Sequence, residues 1–118
     1  MRICLCGSTK FKPQWEEANR SLTLDGHVVY SVAMMTHADG LEVTEAQKDT
    51  LDLVHKMKIL NSDAVVLVTD DAGYIGSSTK SELQWAEMHG LPIFSSYLTV
   101  PPAFTEDLTV AYMEGEDL

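Results

Sequence analysis

A glycine, three hydroxyls and a carboxylate stand in line at Gly76-Ser77-Ser78-Thr79-Lys80-Ser81-Glu82, directly after a loop that carries Asp70, Asp71, Gly73 and Tyr74. Hydroxyl residues after a glycine bend are what a helix start needs, because the first N–H groups of a helix have no partner inside it. The same N–H groups, at the positive end of the helix dipole, make a cradle for phosphate, to which Ser77, Ser78 and Thr79 can add donors. Glu82 admits two readings. Thr79-x-x-Glu82 fits a capping box, which starts the helix at about Thr79 and makes Glu82 a structural acceptor in its first turn. A glutamate in a first turn is also held as an anion by the dipole, which suits a nucleophile better than a proton donor. Asp70 and Asp71 can hydrogen-bond sugar hydroxyls or serve as turn residues beside Gly73. Tyr74, with Met34 or Met35, can sandwich an aromatic base or cover a core edge. The glycine spacing matches neither a dinucleotide fingerprint nor a P-loop, and His37 with Asp39 is too sparse for a metal site. No metal and no cofactor is expected.

The elements that must position these residues follow from periodicity. Residues 64–68 are an apolar, β-branched run of the kind a strand buried on both faces needs. Residues 3–6 predict a first strand, ended by Gly7-Ser8-Thr9. Pro13 then fits the first turn of a helix to Leu24 with Trp15, Ala18 and Leu22 on one side. Residues 27–32 return as a second strand, and 33–43, without a period, read as a loop. Thr44-x-x-Gln47 is a capping box opening a helix whose apolar stripe includes Leu51, Val54 and Met57 and which Asn61 closes. His55 borders the Leu51 side, where it either donates toward a crevice or simply packs. The helix after Gly76 carries Leu83, Trp85, Ala86 and Met88 and stops at Gly90. Residues 92–96 make the next strand, and Pro101-Pro102 interrupts regular structure beyond it. Residues 108–113 read as an edge strand or helical turn, and 114–118 as a fraying acidic end.

Strands alternating with helices of this length predict right-handed βαβ units. The expected fold is one α/β domain over residues 1–118, a small Rossmann-like parallel sheet with helices on both faces. In a flavodoxin-like strand order the switch point falls between the first and third strands. Residues 7–10 and 70–79 then line one crevice, and Gly7 and Ser8 meet the Gly76–Thr79 segment.

Composition narrows the partners. The chain has 118 residues and a net charge of −10, from 8 Lys plus Arg against 18 Asp plus Glu, so polymeric nucleic acid is not an expected ligand. One phosphate needs only a local nest of N–H groups and a cation such as Lys10 or Lys80. Cys4 and Cys6 share one face of a strand, too far apart for an easy disulfide, and read as buried thiols. No secretory leader and no apolar run of membrane-spanning length is present, so a cytoplasmic protein without a membrane partner is expected. A chain this short has little left to roof a pocket, which predicts a homodimer whose neighbour covers the crevice, with the Pro101-Pro102 segment and Phe104 as candidates for that reach.

The segment GYIGSSTKSELQWA at 73–86, preceded by LDLVHKMKILNSDAVVLV at 51–68, resembles the nucleoside 2-deoxyribosyltransferase-like superfamily, as does Ile3-Cys4-Leu5-Cys6-Gly7-Ser8. That superfamily includes nucleoside deoxyribosyltransferases and nucleoside 5′-monophosphate N-glycosidases, and the resemblance spans roughly residues 2–96. It implies that Glu82, a glutamate just after a Gly/Ser/Thr loop, is the nucleophile at the sugar's anomeric carbon. It implies further that the Ser77-Ser78-Thr79 helix start, assisted by Ser8, holds a 5′-phosphate. The monophosphate hydrolases of the group carry an aspartate where this chain has His55, eight residues before Asp63. The expected activity is therefore hydrolysis or transfer at an N-glycosidic bond, with Glu82, Asp70 and His55 as the chemical candidates. Substrate contacts are expected from Gly7, Ser8, Tyr74, Gly76, Ser77, Ser78 and Thr79. Two other outcomes stay open: a phosphoribohydrolase resembling the lysine-decarboxylase-like LOG proteins, whose double-glycine PGG start is missing here, and a catalytically silent nucleotide-binding module.

Overall fold

The computed structural model describes residues 1–103, so Phe104 and the segments expected at 108–113 and 114–118 lie outside the described residues. Four strands form one parallel sheet: β1 (Arg2–Gly7), β2 (Val28–Tyr30), β3 (Ala64–Val68) and β4 (Ile93–Phe94), in the order β2-β1-β3-β4. This is the expected flavodoxin-like order. β2 and β4 are shorter than the predicted strands at 27–32 and 92–96.

Each strand alternates its faces, and that alternation assigns the helices. Ile3 and Leu5 of β1 and Val66 and Val68 of β3 point to the side where α1 (Lys12–Leu24) lays Trp15, Ala18 and Leu22. Cys4, Cys6 and Val65 point the other way, against Ile59 of α2 (Glu45–Leu60) and Ala86 of α3 (Ser77–Met88). The two central strands are thus covered on both faces, as their continuous apolar character requires. Trp15 is buried and its indole N–H donates to the Ser8 carbonyl at 3.0 Å, which ties α1 to the loop that leaves β1. His27 is held between the N-terminal amine at 3.0 Å and the Pro101 carbonyl at 2.9 Å, which fixes the far edge.

α2 starts as expected: Thr44 accepts from the Gln47 N–H at 3.1 Å, and the Gln47 side chain accepts from the Thr44 N–H at 2.9 Å. Its inner face is not the predicted Leu51, Val54 and Met57 stripe. His55 and Ile59 are the buried pair, Leu51 is half-buried, and Val54 and Met57 face out with Leu53 and Leu60. The helix rests on the sheet by its C-terminal half, so its inward line is 55–59.

α3 corrects a second expectation. Gly76 is the N-cap, no side chain caps the helix, and Thr79 and Glu82 do not form a capping box. The helix begins three residues earlier than the box would place it, with its N-cap at Gly76 rather than Thr79, which moves Glu82 out of the first turn. Residues 79, 82, 83 and 86 then share one face by the three- and four-residue spacing of a helix, and that face meets the sheet. Thr79 and Ala86 are buried on it, while Met88 is exposed. Gly90 follows at φ +72, the left-handed stop expected of it. Among the described residues no helix is long and apolar enough to cross a membrane.

Candidate functional site

A cavity of about 730 Å³ opens at the C-terminal ends of β1 and β3, where the strand order reverses. Its walls are the Gly7-Ser8-Thr9 loop, the helix start from Gly76 to Thr79, one face of α2, and the irregular segment after β2. The loop after β1 can pass so close to β3 only because residue 7 is glycine: a Cβ there would lie 2.1 Å from the Val68 carbonyl oxygen. Gly73, at φ +74, makes the turn that presents Tyr74 to the cavity, with its N–H on the Asp70 carbonyl at 3.0 Å.

Glu82 reaches the floor of this crevice from α3, and His55 reaches it from α2. Their Oε2 and Nε2 atoms are 3.5 Å apart, with side chains only 13% and 7% exposed. His55 Nε2 also lies 2.8 Å from the Leu5 carbonyl, 3.6 Å from Cys4 Sγ and 3.7 Å from Cys6 Sγ. A carbonyl only accepts, so in this geometry Nε2 carries a proton. Burial pushes the Glu82 carboxyl up, opposed by the neighbouring His55 charge and a contact from Cys6. The net shift is upward, the reverse of the dipole-stabilised anion expected of a first-turn residue. On His55 the largest influence is burial, which pulls it down, yet the Cys4 thiol, Glu82 and the Leu5 carbonyl outweigh it and the imidazole is raised. Both groups thus hold a proton more readily than they do in water, Glu82 because burial disfavours its charge and His55 because its polar neighbours outweigh burial.

Most of the residues singled out in the sequence converge here. Gly7, Ser8, Tyr74, Gly76, Ser77, Ser78 and Thr79 line the cavity with His55 and Glu82. Ser77 and Ser78 are at the mouth, while Thr79 is buried below them. Met34 also lines the cavity, whereas Met35 packs into the core below α1. Asp70 does not join them. Its Oδ1 accepts the Tyr74 N–H at 3.1 Å, so it shapes the turn, which is the ordinary use of aspartate beside glycine, and it is not part of the lining. Lys80 is outside the lining too, and Lys10 stacks over the Tyr74 ring at 3.6 Å from its centroid.

Sequence reasoning passed over Lys48, Asp52 and Lys58, all of which face the cavity from α2. Their signal was present: 48, 51, 52, 55 and 58 fall on one helical face, of which only Leu51 and His55 were weighed. Asp52 sits one turn before His55, so the helix does offer the crevice a carboxylate, displaced by three residues from the expected position. Lys58 donates to the Ser31 carbonyl at 2.7 Å and fixes the segment after β2 against α2.

Compared with family models, with curated proteins and with solved structures, the chain matches none of them.

Proposed function

We propose that this protein breaks or transfers the N-glycosidic bond of a nucleoside 5′-monophosphate or nucleoside, with hydrolysis of the monophosphate as the first reading. The observation that carries it is the placement of the Glu82 carboxylate, paired with His55, on the floor of a crevice whose rim is a hydroxyl-bearing helix N-terminus. The unpartnered N–H groups at Ser77 and Ser78 suit a 5′-phosphate, Tyr74 and Met34 flank the opening as cover for a base, and Glu82 lies deeper, where the sugar comes to rest. Glu82 attacks C1′, the bond to the base breaks, and the base leaves with the electron pair and takes up a proton. Water then cleaves the glycosyl ester and returns the carboxylate. His55 holds Glu82 ionised against the burial that raises it.

Phosphate recognition makes the reading testable apart from turnover. Ser78→Ala should weaken binding of a monophosphate about tenfold, the worth of one hydrogen bond to a charged group, and leave the matching nucleoside unaffected. Calorimetry on matched pairs measures it. Equal affinity of wild type for both members would remove the phosphate from the reading and favour transfer between free nucleosides. Binding of a monophosphate without base release by wild type would favour the silent module, toward which the histidine at position 55 points.

α2 walls one side of the crevice, and the outer face of that helix exposes Leu53, Val54, Met57 and Leu60. Val54 belongs both to this apolar face and to the cavity lining, so a second copy packed on the face also covers the mouth. A dimer is the expected mass in light scattering coupled to gel filtration, and Met57→Glu should shift it to monomer. A wild-type monomer with full activity would reject the shared cover.

A further inference from the structure

Behind the Glu82–His55 pair lies a cluster that the glycosidic reading does not use. Cys4 and Cys6 are both free thiols with no solvent exposure, adjacent on the α2-facing side of β1. Together with His55 their ligand atoms all fall within 4.8 Å of one another. Glu82 adds an oxygen 3.5 Å from the same imidazole nitrogen.

The spacing of these atoms is informative. A tetrahedral zinc ion with bonds of about 2.3 Å to sulfur and about 2.1 Å to nitrogen and oxygen holds its sulfur and nitrogen ligands about 3.6 Å apart, and its nitrogen and oxygen ligands about 3.4 Å apart. His55 Nε2 lies 3.6 Å and 3.7 Å from the two sulfurs and 3.5 Å from the Glu82 oxygen. Hydrophobic packing alone gives no reason for a strand to aim two thiols at one imidazole nitrogen that also has a carboxylate oxygen 3.5 Å away.

We propose that Cys4, Cys6, His55 and Glu82 form a binding site for a thiophilic divalent cation of the zinc class. Two thiolates with one imidazole select zinc over magnesium or calcium, which prefer all-oxygen sites. The ion takes the place now held by protons. The thiol protons and the Nε2 proton leave to solvent, the imidazole keeps a proton on Nδ1, and the Nε2 lone pair turns from the Leu5 carbonyl to the metal. Access is from the crevice, since Glu82 and His55 line it and the sulfurs lie directly behind them. An ion bound there occupies the Glu82 carboxylate and so acts as a brake on whatever reaction that carboxylate performs.

The site does not rest on the glycosidic reading, because its test is spectroscopic. The full chain, kept reduced with a phosphine and freed of metal by chelator, is titrated with Co²⁺. One equivalent should produce the sulfur-to-cobalt charge-transfer band in the near ultraviolet together with the intense visible bands of a tetrahedral ion, and Zn²⁺ should displace both. Cys4→Ser with Cys6→Ser should abolish the charge-transfer band. Glu82→Gln should keep that band and weaken binding about tenfold. A wild-type protein with both thiols reduced that shows no such band overturns the site, and so does a band that persists without the cysteines. If the cysteine variant does not fold, the wild-type spectrum and its loss in His55→Ala decide the matter alone.

Discussion

Replacing Glu82 by alanine or glutamine should lower base release from a nucleoside 5′-monophosphate by at least about 10³-fold, because the covalent route through the glycosyl ester is closed and only solvent attack is left. Chromatography of the released base over a panel of monophosphates and nucleosides measures this. The fold should lose no more than about 1 kcal/mol, since Glu82 caps nothing and its removal also removes a buried carboxylate that burial disfavours. A histidine left without its partner can relax by giving up its proton. Unchanged turnover in either variant would exclude Glu82 as nucleophile. The pH profile gives a second check, read with chelator present. The nucleophile must be ionised, and the carboxyl is raised from its ordinary 4.5, so activity should fall with acid already above that value and the limb should vanish in the variants.

The second large effect falls on the fold itself. Gly7→Ala places a methyl 2.1 Å from the Val68 carbonyl oxygen and 3.0 Å from its carbonyl carbon and Cβ, all belonging to the paired strand. Nothing at the end of a flexible side chain stands in the way, so the two central strands must part at their C-terminal ends. A cost of about 3–5 kcal/mol is expected, a large share of the roughly 5–15 kcal/mol by which domains of this size are stable. Urea unfolding followed by circular dichroism gives the number. Gly76→Ala is the control. Its Cβ meets only the Tyr74 ring, at 3.4 Å from the hydroxyl, so it should cost no more than about 1 kcal/mol. If Gly7→Ala proves as mild as Gly76→Ala, the tight passage of the loop beside Val68 is wrong, and with it the shape of the crevice wall.

How much of this was legible in the chain depended on which physical rule decided each feature. Strand β3, the Thr44–Gln47 capping box and the Trp15, Ala18 and Leu22 face of α1 are local matters of pattern and short-range hydrogen bonding. The sequence alone determined them. The same holds for the alternation of strands and helices, from which the parallel sheet and the meeting of the Gly7 and Gly76 loops follow. Tertiary structure decided what depends on helix phase and on neighbours distant in the chain. Two candidate starts for α3, at Gly76 and at Thr79, are nearly equivalent in local capping chemistry. The choice between them rotates Glu82 from a solvent-facing cap to the crevice floor, and only packing against the sheet makes it. α2 buries His55 beside Ile59 and leaves the apolar Leu53, Val54 and Met57 outside, because its inner face is set by where the helix crosses the sheet and not by its own hydrophobicity. The convergence of Cys4, Cys6, His55 and Glu82 is tertiary in the same sense. Residues from one strand and two helices, up to 78 positions apart in a 118-residue chain, become neighbours only when both helices lie on one face of the sheet, and no local rule links them.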